Sequence, residues 1–153
     1  AHIIPFMYYN KSKDANLSAL VSTAGILSPS PFDPEVLTYN VSVPNFTTSV
    51  TVTPTVAESN AAVVVNGNFT TSGSPSSAII LNVGSNSITV IVTAENGSTT
   101  KTYTISVTRL PSSNADLNAL AISSGMLNTT FDSQVLSYTA AAVEFLTTSS
   151  TVT

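Results

Sequence analysis

The chain has 153 residues, of which 42% are hydrophobic and only 8% charged, with four basic and eight acidic side chains and a net charge of −4. There is no basic stripe for nucleic acid or an anionic membrane. The absence of cysteine removes disulfide staples, thiolate metal sites and cysteine nucleophiles. No apolar run reaches the length that spans a bilayer, and serine and threonine, together about a third of the chain, supply the polar surface.

In chain order, the first segment is an apolar arm, His2-Ile3-Ile4-Pro5-Phe6-Met7-Tyr8-Tyr9. Its extended character makes Ile3, Ile4, Phe6, Met7, Tyr8 and Tyr9 the candidate inter-subunit strand, although Pro5 forfeits one ladder bond. The arm, residues 1–13, reads either as the end strand of a preceding unit or as a donor strand for another copy's sheet edge. The start at Ala1 rather than Met is expected of a processed chain or of a window on a longer one.

From residue 14 onward, two-residue alternation replaces any helical period. Tyr39, Val41 and Val43 share one face, as do Val50 and Val52, then Ile88, Val90 and Val92, then Tyr103, Ile105 and Val107. The alternation predicts strands at about 16–22, 37–43, 49–56, 62–66, 78–82, 86–94 and 101–109. Asn66-Gly67, Val83-Gly84-Ser85-Asn86 and Glu95-Asn96-Gly97-Ser98 separate these runs with residues that tolerate tight turns. Seven short strands, each wet on one side, predict an all-β, immunoglobulin-like sandwich of antiparallel strands over residues 14–109.

The chain then begins again. Asp14-Ala15-Asn16-Leu17-Ser18-Ala19-Leu20 returns as Asn114-Ala115-Asp116-Leu117-Asn118-Ala119-Leu120, and Gly25-Ile26-Leu27 returns as Gly125-Met126-Leu127. Phe32-Asp33 with Val36-Leu37-Thr38-Tyr39 returns as Phe131-Asp132 with Val135-Leu136-Ser137-Tyr138. A period of roughly 100 residues is right for whole domains in tandem. Residues 110–153 therefore read as a linker plus the first strands of a second, incomplete sandwich. With one apolar face, that fragment is expected to need chain continuation or a neighbouring copy to cover it.

Leu17-Ser18-Ala19-Leu20, Gly25-Ile26-Leu27-Ser28-Pro29, Phe32-Asp33-Pro34 and Leu37-Thr38-Tyr39 resemble the start of a cadherin-like β-sandwich repeat. Leu81-Asn82-Val83-Gly84-Ser85-Asn86-Ser87-Ile88 and Lys101-Thr102-Tyr103-Thr104-Ile105-Ser106-Val107-Thr108-Arg109 resemble its closing half. The resemblance implies tandem modules of surface or secreted proteins, and it implies fold more strongly than function.

Chemistry is sparse. His2 is the single imidazole and sits at a terminus, so a Ser-His-Asp triad has no rigid support. The calcium linkers of true cadherins are missing, because Arg109-Leu110-Pro111-Ser112-Ser113-Asn114-Ala115-Asp116 offers one carboxylate. Asp33 recurs as Asp132, while Glu35 gives way to Gln134, so both aspartates are expected to cap turns with their own side chains. Tyr39, Tyr103 and Tyr138 have inward parity and are expected in cores rather than as sugar platforms. A Lys–Asn amide, as some surface sandwiches contain, needs a buried lysine beside an acid. Lys101 begins a strand beside a turn and is expected to be exposed, which argues against one.

The pattern Asn-x-Ser/Thr occurs at Asn10, Asn16, Asn40, Asn45, Asn68, Asn96 and Asn128, seven of thirteen asparagines. About four would match by chance, so placement in turns, linkers, a strand edge and the outward face at Asn40 carries the reading. Covalent N-linked glycans are the expected modification, and no other cofactor or metal is expected. The expected function is non-enzymatic, a structural subunit of an extracellular or cell-surface stalk or filament. Its partners are copies of itself or adjacent repeats, joined by strand pairing or end-to-end packing. The alternatives are an adhesin or carbohydrate-binding module, and an accessory domain of a secreted enzyme.

Overall fold

The computed structural model describes residues 9–123 and 126–140. The chain divides into two compact units, residues 1–112 and 113–153. The first unit is all-β among its described residues, with nine strands: β1 (Leu17–Ser22), β2 (Thr38–Val43), β3 (Ser49–Val50), β4 (Val52–Val56), β5 (Ala62–Val65), β6 (Asn68–Thr70), β7 (Ile79–Ile80), β8 (Gly84–Thr93) and β9 (Thr100–Arg109). One layer is the sheet β2-β9-β8-β5-β6; the pairs β1-β4 and β3-β7 complete the sandwich.

The alternation has the consequence expected of it. Ile88, Val90 and Val92 from β8, Tyr103, Ile105 and Val107 from β9, and Tyr39 from β2 are each 0% exposed, in one core with Leu17, Val52, Val63 and Leu81. Residues directly opposite in an antiparallel ladder share a face, and Ile88 pairs with Ile105, Val90 with Tyr103 and Val92 with Lys101. Lys101 therefore continues the inward stripe.

Three features depart from the expected strands. The run 49–56 is two strands, because β3 pairs with β7 while β4 pairs with β1; the chain changes partner at Thr51. A short extra strand, β6, follows Asn66-Gly67, whose φ values of 47° and 80° close a tight hairpin between Val65 and Asn68. Finally, β2 runs parallel to β9, with Tyr39 opposite Ile105, so the sandwich is not purely antiparallel.

Pro54 sits in β4 without penalty because β4 is an edge. The loop after β6 closes that edge: Gly73 N donates to Pro54 O and Ser76 N to Val52 O, each at 2.8 Å. Val52 N and Val56 N donate to the Ser76 and Ser72 hydroxyls. Such cover blocks pairing with another strand there. At the Asn66-Gly67 turn, Gly67→Ala meets open space but must hold a positive φ. We expect a loss of about 1–2 kcal/mol, measured by urea unfolding.

Among its described residues the second unit forms one isolated bridge, Leu127–Ala140. Leu117 is 58% and Leu120 37% exposed, whereas Leu17 and Leu20 at the corresponding places of the first unit are buried.

Candidate functional site

Polar side chains of the first unit gather at the two ends of β9. At its start, the buried Tyr103 hydroxyl accepts from Leu17 N (3.1 Å) and donates to Pro34 O (2.9 Å). One phenol thus pins the start of β1 and the turn before β2 to β9. Asn16 and Glu35 are the chain neighbours of these two anchor points. Two residues before Tyr103, on the same face, Lys101 Nζ lies 2.6 Å from Asn16 Oδ1 and 2.9 Å from Glu35 Oε1.

The Lys101 side chain is 20% exposed and that of Glu35 76%, so the expectation of an exposed Lys101 is corrected. The reason is its inward parity with Tyr103, which carries its stem into the sandwich. Partial burial pulls the Lys101 pKa down, but the Glu35 hydrogen bond and the charges of Tyr103, Glu35 and Asp14 outweigh it and raise the pKa above the ordinary lysine value. The incoming chain is tied to the same end, where Ser12 N donates to Glu95 Oε2 (2.9 Å) and Asn96 N to Ser12 O (3.0 Å).

At the finish of β9, Arg109 Nε donates to Asn45 O (2.8 Å) and Nη1 to Leu81 O (2.9 Å). Leu110 N donates to Val43 O. The chain therefore arrives at one pole of the sandwich and departs from the other, about 30 Å away along ten residues of β9.

The sequence-predicted sites are spread over this frame. Asn10 and Asn40 are exposed, Asn40 on β2 between buried Tyr39 and half-buried Val41. Asn68 lies exposed on β6, its Nδ2 donating to Asn66 O, and Asn128 is exposed with Nδ2 on Thr139 Oγ1. Asn16, Asn45 and Asn96 are half-buried. Asn96 holds its hairpin through Ser98 N, Thr99 N and Thr99 Oγ1, and Asn45 Nδ2 donates to Leu110 O. Ile3, Ile4, Phe6, Met7 and Tyr8 of the arm, and His2, lie outside the described residues. Tyr9 is exposed and donates to Glu95 Oε2 at 3.1 Å, a bond that raises its pKa.

Both aspartates cap their turns. Asp33 Oδ1 accepts from Glu35 N and Asp132 Oδ1 from Gln134 N. Tyr39 and Tyr138 bond to the backbone of Asp33 and Asp132, and stack on Phe32 and Phe131 at 5.5 and 5.6 Å. The Ser28 N to Asn40 O bond likewise has a counterpart in Asn128 N to Thr139 O. At this turn the repeated letters thus make the same local contacts twice.

No group of three or more acidic or histidine side chains converges among the described residues. An apolar cleft of about 320 Å³ opens between the end of β1 and the following loop, lined by Leu20, Ile26, Leu27, Pro29 and Phe32. Alternation did not assign Phe46 and Phe69, which are 84% and 73% exposed. Both are the central residue of an Asn-Phe-Thr tripeptide, a coincidence visible in the letters.

Comparison with known proteins gives three findings. The family model of the cadherin-like beta sandwich domain matches residues 15–110. A protein of Evansella cellulosilytica, provisionally named a membrane protein, is 42% identical over 98 residues; the match covers 64% of this chain and 14% of that protein. A crystal structure from Bacteroides thetaiotaomicron, provisionally named a glycoside hydrolase, aligns with 72% of this chain and 28% of its own at 18% identity and a TM-score of 0.39.

Proposed function

The chain belongs to the cadherin-like beta sandwich domain family, and from that premise we propose that it is a non-catalytic, load-bearing piece of an extracellular or cell-surface stalk or filament. The observation that carries the reading is the pole-to-pole path of the first unit. Tension between the incoming and departing chain pulls β9 lengthwise against β2 and β8, so the ladder bonds on both sides load together and resist together. A fold whose chain entered and left at one pole would unzip its bonds one after another.

The roughly 100-residue repeat supports sandwich units in tandem, with residues 110–153 as the connection and opening of the next one. Partners in this reading are copies of the chain or adjacent repeats, held by end-to-end packing or by an arm strand. The name of the Evansella relative supports a surface location, and the chain spans 14% of that relative's length, as a module of a larger protein would. Glycans on exposed asparagines, Asn40 and Asn10 foremost, would hydrate a surface with few charges. At Asn45 and Asn68 they would lie next to exposed Phe46 and Phe69.

Electron microscopy of the native material is expected to show filaments or stalks with a repeat of one or two domain lengths. Dispersed monomers that bind a glycan array would instead favour a second reading, a ligand-displaying adhesin using the apolar cleft beside Ile26. For the glycans, glycosidase treatment is expected to lower the intact mass of the native protein, and an unchanged mass rules them out.

A further inference from the structure

We propose that Lys101 and Asn16 join through a side-chain amide bond, with Glu35 moving the protons. An amine, a carboxamide and a carboxylate meet at one atom: Nζ is 2.6 Å from Asn16 Oδ1 and 2.9 Å from Glu35 Oε1. Each is held independently. Asn16 is fixed by its N–H on Asp14 Oδ1 (2.8 Å) and by Ala57 N on its carbonyl (2.9 Å). The backbone of Glu35 is held by its N–H on Asp33 Oδ1, its carboxylate reaching Lys101 from an exposed side chain, and Lys101 is held by its place in β9 opposite Val92. The Tyr103 hydroxyl bridges Leu17 and Pro34, next to Asn16 and Glu35, and its ring lies 5.8 Å from Nζ. Fixing reactants in contact removes much of the entropic barrier to their reaction. Lys11 and Lys13, by contrast, are exposed.

The chemistry balances without oxidant or cofactor. Lys101 passes a proton from Nζ to Glu35, and the freed lone pair attacks Asn16 Cγ, placing negative charge on Oδ1. A second Nζ proton passes to water as the intermediate collapses. Protonated Glu35 donates to Nδ2, the Cγ–Nδ2 bond breaks, and ammonia leaves, to be protonated in water. The product is a secondary amide between Cγ and Nζ, and the protein loses one ammonia and one positive charge. Because Nδ2 departs, the bond and a glycan at Asn16 exclude each other.

The bond would link the chain just before β1 to the start of β9, closing a span of 85 residues. If the load-bearing reading holds, force arriving at Asn16 would pass directly to Lys101 and down β9, bypassing β1 to β8. The covalent bond itself does not depend on that reading.

The test is the intact mass of the full 153-residue chain made in a host without N-glycosylation, followed by peptide mapping. The expected result is a mass one ammonia, about 17 Da, below the sequence value, with a branched peptide joining Asn16 to Lys101. Lys101→Arg and Asn16→Ala should restore the full mass, and Glu35→Gln should leave most of the protein unlinked. A wild-type chain at full mass overturns the proposal. So does an ammonia loss that maps to a cyclic imide at Asn66-Gly67 or Asn96-Gly97. Wild-type mapping decides the question even if a variant fails to fold.

Discussion

Replacing Tyr103 with alanine is expected to destabilise the first unit by about 3–5 kcal/mol, and with phenylalanine by about 1–3 kcal/mol. The two figures separate two tasks of one side chain. The ring is 0% exposed and tilts against Phe32 at 5.9 Å, so its removal leaves a cavity in the core. The hydroxyl accepts from Leu17 N and donates to Pro34 O, and Tyr103→Phe strips both groups of that partner. Urea unfolding of the wild type and both variants measures the split. A phenylalanine variant as stable as wild type would show that the hydroxyl bridge contributes nothing. A folded Tyr103→Phe variant should also carry less of the Asn16–Lys101 amide, since the bridge positions both participants.

A carboxylate at the centre of the core is expected to abolish folding, while the same carboxylate three residues earlier is nearly neutral. Val90 in β8 is 0% exposed and faces Tyr103 in the core. An unpaired buried charge costs several kcal/mol, against a total stability of roughly 5–15 kcal/mol for a domain. Val90→Asp should therefore show no cooperative thermal transition by circular dichroism. Ser87, opposite Ser106 on the outward face, is exposed, so Ser87→Asp should stay within about 0.5 kcal/mol of wild type. Equal effects would show that the inward and outward faces of β8 are misassigned.

These two substitutions rest on a pattern legible in the letters. Alternation in 86–94 and 101–109 picked out Ile88, Val90, Val92, Tyr103, Ile105 and Val107, all of which are buried. The same parity extends to Lys101, and following it one step further would have placed that lysine inward. Its position beside a turn and its charge suggested exposure, but the sandwich covers its stem and presents acceptors to its tip. The aspartate turns were legible for a similar local reason. An Asx turn needs only a side chain and an N–H two residues on, as Asp33 and Asp132 both supply.

Local chemistry by itself located most of the strands, though not β6 or the division of 49–56, and it marked the apolar face of β8 and β9 and the turns at Asn66-Gly67 and Asn96-Gly97, because a two-residue period and an Asn-Gly step act over a few neighbouring dihedrals. Tertiary structure alone decided how the strands combine: the change of partner at Thr51, the parallel pairing of β2 with β9, and the meeting of Asn16, Glu35 and Lys101. The physical reason is range. These pairings join residues from 29 positions apart, as Val50 and Ile79, to 85, as Asn16 and Lys101, and their register is set by how two whole layers share one core, which no short window of sequence encodes.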